Sequence, residues 1–153
     1  MFVSAIIPAA GSGTRMNHHR KKPYISLCGE PILARTLARI ADCPDISEII
    51  ITVHPGEEGF CENNILKAMT LPCPVRVVAG GDARQDSVHN ALRCLNHISQ
   101  YVLIHDGARP LIPEDLVQRV INETIHRKAV TAAVPVKDTI ASVSLEDSRM
   151  AHV

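Results

Sequence analysis

Three short segments concentrate the residue types that handle anionic ligands. The first, Pro8-Ala9-Ala10-Gly11-Ser12-Gly13-Thr14-Arg15-Met16, follows an apolar run and precedes the basic cluster His18-His19-Arg20-Lys21-Lys22. Small residues and glycines let backbone N–H groups come close to a phosphate, and Arg15 and Lys22 are placed to supply the counter-charge. The segment lacks the G-x-x-x-x-G-K-S/T of a Walker loop and the third glycine of the dinucleotide fingerprint, so taken alone it also reads as a tight strand-to-helix loop. The second segment is Gly80-Gly81-Asp82-Ala83-Arg84-Gln85-Asp86-Ser87. Paired glycines allow backbone contact with a flat base while Asp82 and Ser87 offer polar edges; the plainer alternative is a turn with Asp86 or Ser87 as a helix N-cap. The third is His105-Asp106-Gly107-Ala108-Arg109-Pro110. A single carboxylate there suits Mg²⁺, which is often held by one or two carboxylates plus substrate phosphates. The three together point to a nucleoside triphosphate.

The elements around these segments alternate. Val3 to Pro8, Ser47 to Val53, Val75 to Val78, Tyr101 to Ile104 and Val130 to Val136 read as strands, with Thr139 to Val143 as an edge extension. The β-branched, continuous run at Ser47 to Val53 fits a strand covered on both faces. Helix-like spacing covers Pro31 to Ala41, about Gly59 to Met69, Asp86 to Leu95, and Pro113 to Arg127. The last is acidic in its first turn and basic in its last, as the helix dipole favours. Such alternation predicts βαβ crossovers, a mainly parallel sheet and helices on both faces, with ligands beyond the carboxyl ends of the strands.

At 153 residues the chain is sized for one domain. Sixteen Lys plus Arg balance sixteen Asp plus Glu, which argues against general electrostatic binding to nucleic acid or to an anionic membrane. Five cysteines without a C-x-x-C pair fit neither a disulfide framework nor a zinc ribbon, and read as reduced thiols. The run from Phe2 to Ala10 is too short for a signal peptide, and no apolar stretch approaches the ~20 residues of a membrane span. The expected location is the cytoplasm, or the plastid stroma in a plastid-bearing cell.

PAAGSGTRM, Lys22-Pro23-Tyr24 leading to GEPIL, GGDARQDSV, VLIHDGARP and PVKDTI occur in that order. In pattern and order the chain resembles the 2-C-methyl-D-erythritol 4-phosphate cytidylyltransferases of non-mevalonate isoprenoid synthesis. PAAGSGTRM is shared by many nucleotidyltransferases, whereas GGDxRxDSV with HDGARP is far more specific. The resemblance implies a Rossmann-like three-layer α/β sandwich of the nucleotide-diphospho-sugar transferase type. It implies that Pro8, Ala9, Ala10, Gly11, Ser12 and Gly13 bind the CTP phosphates and that Arg15 and Lys22 are the catalytic pair. Gly81, Asp82 and Ser87 would read cytosine and ribose, Asp106 would hold Mg²⁺, and Arg109 would lie on the substrate side. The implied partners are CTP and a polyol phosphate, with a homodimer left open. None of the five cysteines or eight histidines has a role in that chemistry. Two departures stand out: Pro23 replaces the usual Gln, and family chains continue beyond the point matching Val153. Residues 1–153 are therefore expected to form one nucleotidyltransferase domain without the family's C-terminal part. The alternatives are a cytidylyltransferase for another polyol phosphate, such as ribitol 5-phosphate, and a truncated CTP-binding domain without turnover.

Overall fold

The computed structural model describes residues 1–11, 21–138, 142–143 and 150–151. In chain order the elements are β1 (Val3–Pro8), a 3₁₀ turn (Lys22–Tyr24), β2 (Ser26–Leu27), β3 (Glu30–Pro31), α1 (Ile32–Ala41), β4 (Ile46–Val53), α2 (Glu58–Asn64), a second 3₁₀ turn (Leu66–Ala68), β5 (Val75–Ala79), α3 (Arg84–Leu92), β6 (Tyr101–Ile104), α4 (Glu114–Arg127), β7 (Ser142–Val143) and β8 (Met150–Ala151). The main sheet has the order β5-β4-β1-β6 and is parallel at every pairing.

Central position explains the unbroken apolar runs of β1 and β4. Ala5, Ile7, Ile49, Ile51 and Val53 cluster with Leu33, Leu37 and Ile40 of α1 and with Val117 and Ile121 of α4. Ile6 and Ile50 cluster with Ala91 of α3 on the other face. Each fully buried isoleucine contributes roughly 1.5–3 kcal/mol relative to exposure. The chain steps from β1 to β4 to β5 in one direction, then returns past β1 to β6. Right-handed crossovers therefore put α1 and α2 on one face and α3 on the other, and Cys61 of α2 indeed belongs to the α1 cluster. The order reverses beside β1, so the crevice beyond β1 and β6 is the place where such a sheet takes a ligand.

The opposite end of the sheet is fixed by a buried carboxylate. Glu48 accepts hydrogen bonds from Ser4 Oγ at 2.7 Å, Asn96 N at 2.9 Å and Arg76 Nη2 at 3.0 Å. Burial works to raise its pKa, but the hydrogen bonds from Asn96, Ser4 and Arg76 and the Arg76 charge win, holding it below the ordinary glutamate value.

Several elements differ from the sequence expectation. Val130 to Val136 is not a strand; Val134 and Val136 are 85% and 67% exposed. Strand-forming composition needs a ladder partner, and here Val130, Thr131 and Ala132 line a cavity together with Leu116 and Val120 of α4 instead. The helix expected to Met69 stops at Asn64. Asn63 and Asn64 direct their side-chain amides to the carbonyls of Gly59 and Phe60 at 2.8 and 3.0 Å, a local bond that competes with helix continuation. α3 begins two residues before the expected Asp86, and Asp86 Oδ2 accepts from Ala83 N at 3.0 Å, so it serves from inside the first turn. Of the proposed edge extension, Ser142–Val143 pair antiparallel with Met150–Ala151, and residues 139–141 lie outside the described residues.

Candidate active site

Three loops meet beyond the carboxyl ends of the strands, and close backbone contacts hold them together. After β1, Ala9 N donates to Thr52 O at 2.8 Å, and Pro8 O accepts from Gly107 N at 2.9 Å. Ala9 is buried, Ala10 half-buried and Gly11 exposed, so the loop rises from packed core toward solvent within three residues. Ser12, Gly13 and Arg15 lie outside the described residues.

The loop returns at Lys21. Lys22 is exposed and opens the first 3₁₀ turn. Pro23 occupies an early position of that turn, where Tyr24 N and Ile25 N make the hydrogen bonds to Lys21 O and Lys22 O. Proline is suited to such a position, whose N–H has no partner within the turn, so the replacement of Gln leaves the local backbone intact. Anchoring comes from neighbours: Lys21 Nζ pairs with Glu57 at 2.7 Å, and the Tyr24 ring meets Phe60 edge-on at 5.0 Å. Burial first, then nearby Cys61 and Glu57, pushes the Tyr24 phenol well above its usual pKa, so it stays neutral. In the sequence this clamp onto α2 shows only as Tyr24 of the Lys22-Pro23-Tyr24 segment, beside a basic run.

The β5–α3 loop owes its shape to its glycines. A Cβ on Gly80 would stand 2.4 Å from Ala10 Cβ and 2.8 Å from Ser87 Oγ; one on Gly81 would stand 2.4 Å from Asp86 Cβ. Ser87 is 2% exposed, and its Oγ accepts from Gly81 N at 3.1 Å. Its hydroxyl thus shapes the loop from below, while Asp82 is exposed at the rim. Gly80 and Ala10, from two different loops, are therefore packed as one unit.

The third loop follows β6. Gly107 sits against Ala9, Leu33 and Ile7, where a Cβ would meet atoms at 3.0–3.2 Å, and Thr36 Oγ1 donates to Gly107 O at 2.9 Å. Arg109 N donates to Asp106 O at 3.1 Å. With the backbone so fixed, the Asp106 carboxylate is engaged on both oxygens. Arg84 donates to Oδ1 through Nε at 2.8 Å, its Nη2 lies 2.8 Å from the same oxygen, and Arg109 Nε reaches Oδ2 at 3.0 Å. Arg84 is the arginine of the GGDxRxDSV motif, to which spacing assigns no role. Its signal was there: a cation in the first turn of a helix opposes the helix dipole and calls for a partner.

The structure thus brings Pro8–Gly11, Gly81, Asp82, Ser87, Asp106 and Arg109 to one end of the sheet, with Lys22 on the segment that returns from the first loop. Among the described residues no group of three or more His, Cys, Asp or Glu side chains could hold a metal by itself, and no helix is long and apolar enough to cross a membrane.

A parallel α/β sheet with glycine-shaped loops gathered at its switch point defines a Rossmann-like α/β domain. The family model described as 2-C-methyl-D-erythritol 4-phosphate cytidylyltransferase matches residues 3–151, and the chain belongs to that family. Proteins of that name from Desulforamulus reducens and Alkaliphilus metalliredigens are each 44% identical over 142 residues, 93% of this chain, and the match covers 61% and 59% of their lengths. The crystal structure of 4-diphosphocytidyl-2C-methyl-D-erythritol synthase from Anaerococcus prevotii is similar with a TM-score of 0.79 at 34% identity, covering 97% of this chain and 61% of that one. The chain spans about three fifths of the length of these curated relatives.

Proposed function

We propose that this chain carries the nucleotide-handling domain, residues 1–153, of an enzyme that transfers CMP from CTP to 2-C-methyl-D-erythritol 4-phosphate. A phosphate oxygen of the acceptor attacks the α-phosphorus of CTP. As that P–O bond forms, the bond from the α-phosphorus to the oxygen of the β-phosphate breaks, and pyrophosphate leaves. The products are pyrophosphate and 4-diphosphocytidyl-methylerythritol. The observation that carries this reading is the convergence of Ala9–Gly11, Gly80–Gly81 and an Asp106 flanked by Arg84 and Arg109 at one end of the sheet.

Such chemistry requires positioning and charge stabilisation rather than a protein nucleophile. Pro8 to Gly13 would wrap the phosphates, and Arg15 and Lys22 would stabilise the charge growing on the α-phosphate oxygens. Gly81 and Asp82 would meet cytosine and ribose while Ser87 keeps the Gly81 amide in place; Arg109 would face the acceptor. The donor chemistry fits Mg²⁺: Asp106 offers hard oxygens that already attract cationic groups, and a lone carboxylate suits a metal whose other ligands arrive with the substrate. Bound there with the triphosphate, the metal would neutralise charge on the phosphates and the leaving pyrophosphate. On this reading the domain works in the cytoplasm on two small anionic substrates.

The test is pyrophosphate release by the purified chain with CTP, Mg²⁺ and either 2-C-methyl-D-erythritol 4-phosphate or ribitol 5-phosphate. Release with the first acceptor and not the second is expected. Release with ribitol 5-phosphate alone would reassign the acceptor, and CTP binding without release from either would reduce the chain to a binding domain.

A further inference from the structure

We propose that Arg84 is a positioning residue that competes with a divalent cation for Asp106 and passes to the substrate phosphates when that cation arrives with the nucleotide. The inference rests on the cytidylyl-transfer reading and goes beyond it by assigning Arg84. Arg84 comes from the first turn of α3, next to the Gly80–Gly81 loop, and reaches across to the loop after β6. Both its Nε and Nη2 lie 2.8 Å from Asp106 Oδ1, the shortest polar contacts that carboxylate makes. Arg109, by contrast, is three residues from Asp106 in sequence, bonds its partner's backbone through its own N–H, and takes the other oxygen. Arg84 is therefore the cation that arrives from a different loop.

A hard cation approaching Oδ1 of Asp106 meets the Arg84 guanidinium already there, and the two positive charges repel, so they compete for that oxygen. The Arg84 side chain is 61% exposed, so its ion pair is weakly held and readily given up. Its position in a helix first turn offers no compensating interaction with the dipole, so the released guanidinium gains most from an anion at the same mouth. Arginine is well matched to phosphate oxygens. The device makes the cation a poor ligand of the free protein and a good one in company with a triphosphate. It also keeps the carboxylate neutralised before the metal arrives, which spares an incoming triphosphate from facing bare negative charge.

The two effects of removing Arg84 have opposite signs, which separates this role from a merely structural one. Mn²⁺ affinity of the nucleotide-free protein is measured by electron paramagnetic resonance, and CTP affinity in EDTA by calorimetry, for wild type, Arg84→Gln and Arg84→Lys. Arg84→Gln is expected to bind Mn²⁺ about two- to fivefold more tightly, the range an exposed ion pair spans, and to bind metal-free CTP more weakly. Arg84→Lys should fall between the two. In an Asp106→Asn background the substitution should no longer change Mn²⁺ affinity. Unchanged or weaker Mn²⁺ binding by Arg84→Gln overturns the proposal, as does unchanged binding of metal-free CTP. Wild-type protein that binds Mn²⁺ but no CTP would overturn the cytidylyl reading, and the Mn²⁺ comparison would still decide whether Arg84 competes for Asp106.

Discussion

Gly80→Ala probes the junction between the loop after β1 and the β5–α3 loop. The new methyl would stand 2.4 Å from Ala10 Cβ, 2.8 Å from Ser87 Oγ and 3.1 Å from Val53 O. The first of these has no rotamer to escape through, and the third is backbone in a fully buried strand, so neither can yield without moving the chain. Overpacking of this kind costs about 1–3 kcal/mol, which for a chain of this size lowers Tm by roughly 3–10 °C. Relief by displacing Ala10 would push the loop after β1 away from the β5–α3 loop, so CTP affinity should fall along with stability. The double substitution Gly80→Ala with Ala10→Gly removes the closest contact and leaves the other two; it should recover about half of the lost stability. Thermal unfolding by circular dichroism and CTP titration on the three variants measure both effects. A Gly80→Ala protein with wild-type Tm and CTP affinity would refute the packing argument, and an Ala10→Gly change that worsens the variant would place the clash elsewhere.

Glu48 should make the fold acid-sensitive: its native pKa is lowered, so its contribution is complete above the ordinary glutamate value of about 4.3 and is lost as pH falls through the native value. Glu48→Gln should accordingly lose stability at neutral pH and show a flatter Tm profile below pH 5, measured by thermal unfolding across pH. Cys61 is fully buried, and burial, with Glu62 and Glu57 nearby, pushes its thiol up to about 12; mass spectrometry after brief iodoacetamide treatment should find Cys28, which is exposed, modified before Cys61. Cys28 also holds a φ of 51° beside Gly29 at 87° in the β2–β3 turn, a left-handed pair that favours Asn-Gly, so Cys28→Asn should raise Tm by a degree or more.

Periodicity sufficed wherever burial is two-sided. The isoleucines at 49–51 are apolar without a break because β4 is covered by α1 on one face and α3 on the other, and no surface strand carries such a run. Helix ends were less readable because they depend on side-chain bonds: the Asn63 and Asn64 amides ended α2, and Asp86 acted from within α3 rather than ahead of it. Val130 to Val136 has the composition of a strand, yet composition cannot supply the neighbouring edge that a ladder requires. At the site, the glycine motifs predict close approach of backbone to a ligand, whereas the close contacts at Gly80 and Gly107 are with Ala10, Ser87, Ala9 and Leu33 of neighbouring elements. Spacing offers Ser87 as a polar edge, and the fold adds a bond that spacing does not show, from Gly81 N to the Ser87 hydroxyl. The bond from Arg84 to Asp106 is not legible in spacing because the two lie 22 residues apart in different loops.

The central claim is a site for a cytidine nucleotide at the mouth of β1, β5 and β6. CTP and UTP differ in the base only at the position 4 substituent and the adjoining ring nitrogen, so they carry the same phosphates, ribose and charge past Asp106 and the Ala9–Gly11 loop. Titration of the purified chain with each nucleotide in the presence of Mg²⁺, by calorimetry, isolates base reading from phosphate binding. CTP is expected to bind at least about tenfold more tightly, equivalent to ~1.4 kcal/mol, on the order of one properly met hydrogen bond. Equal affinities would contradict the account, leaving a triphosphate site without cytidine recognition.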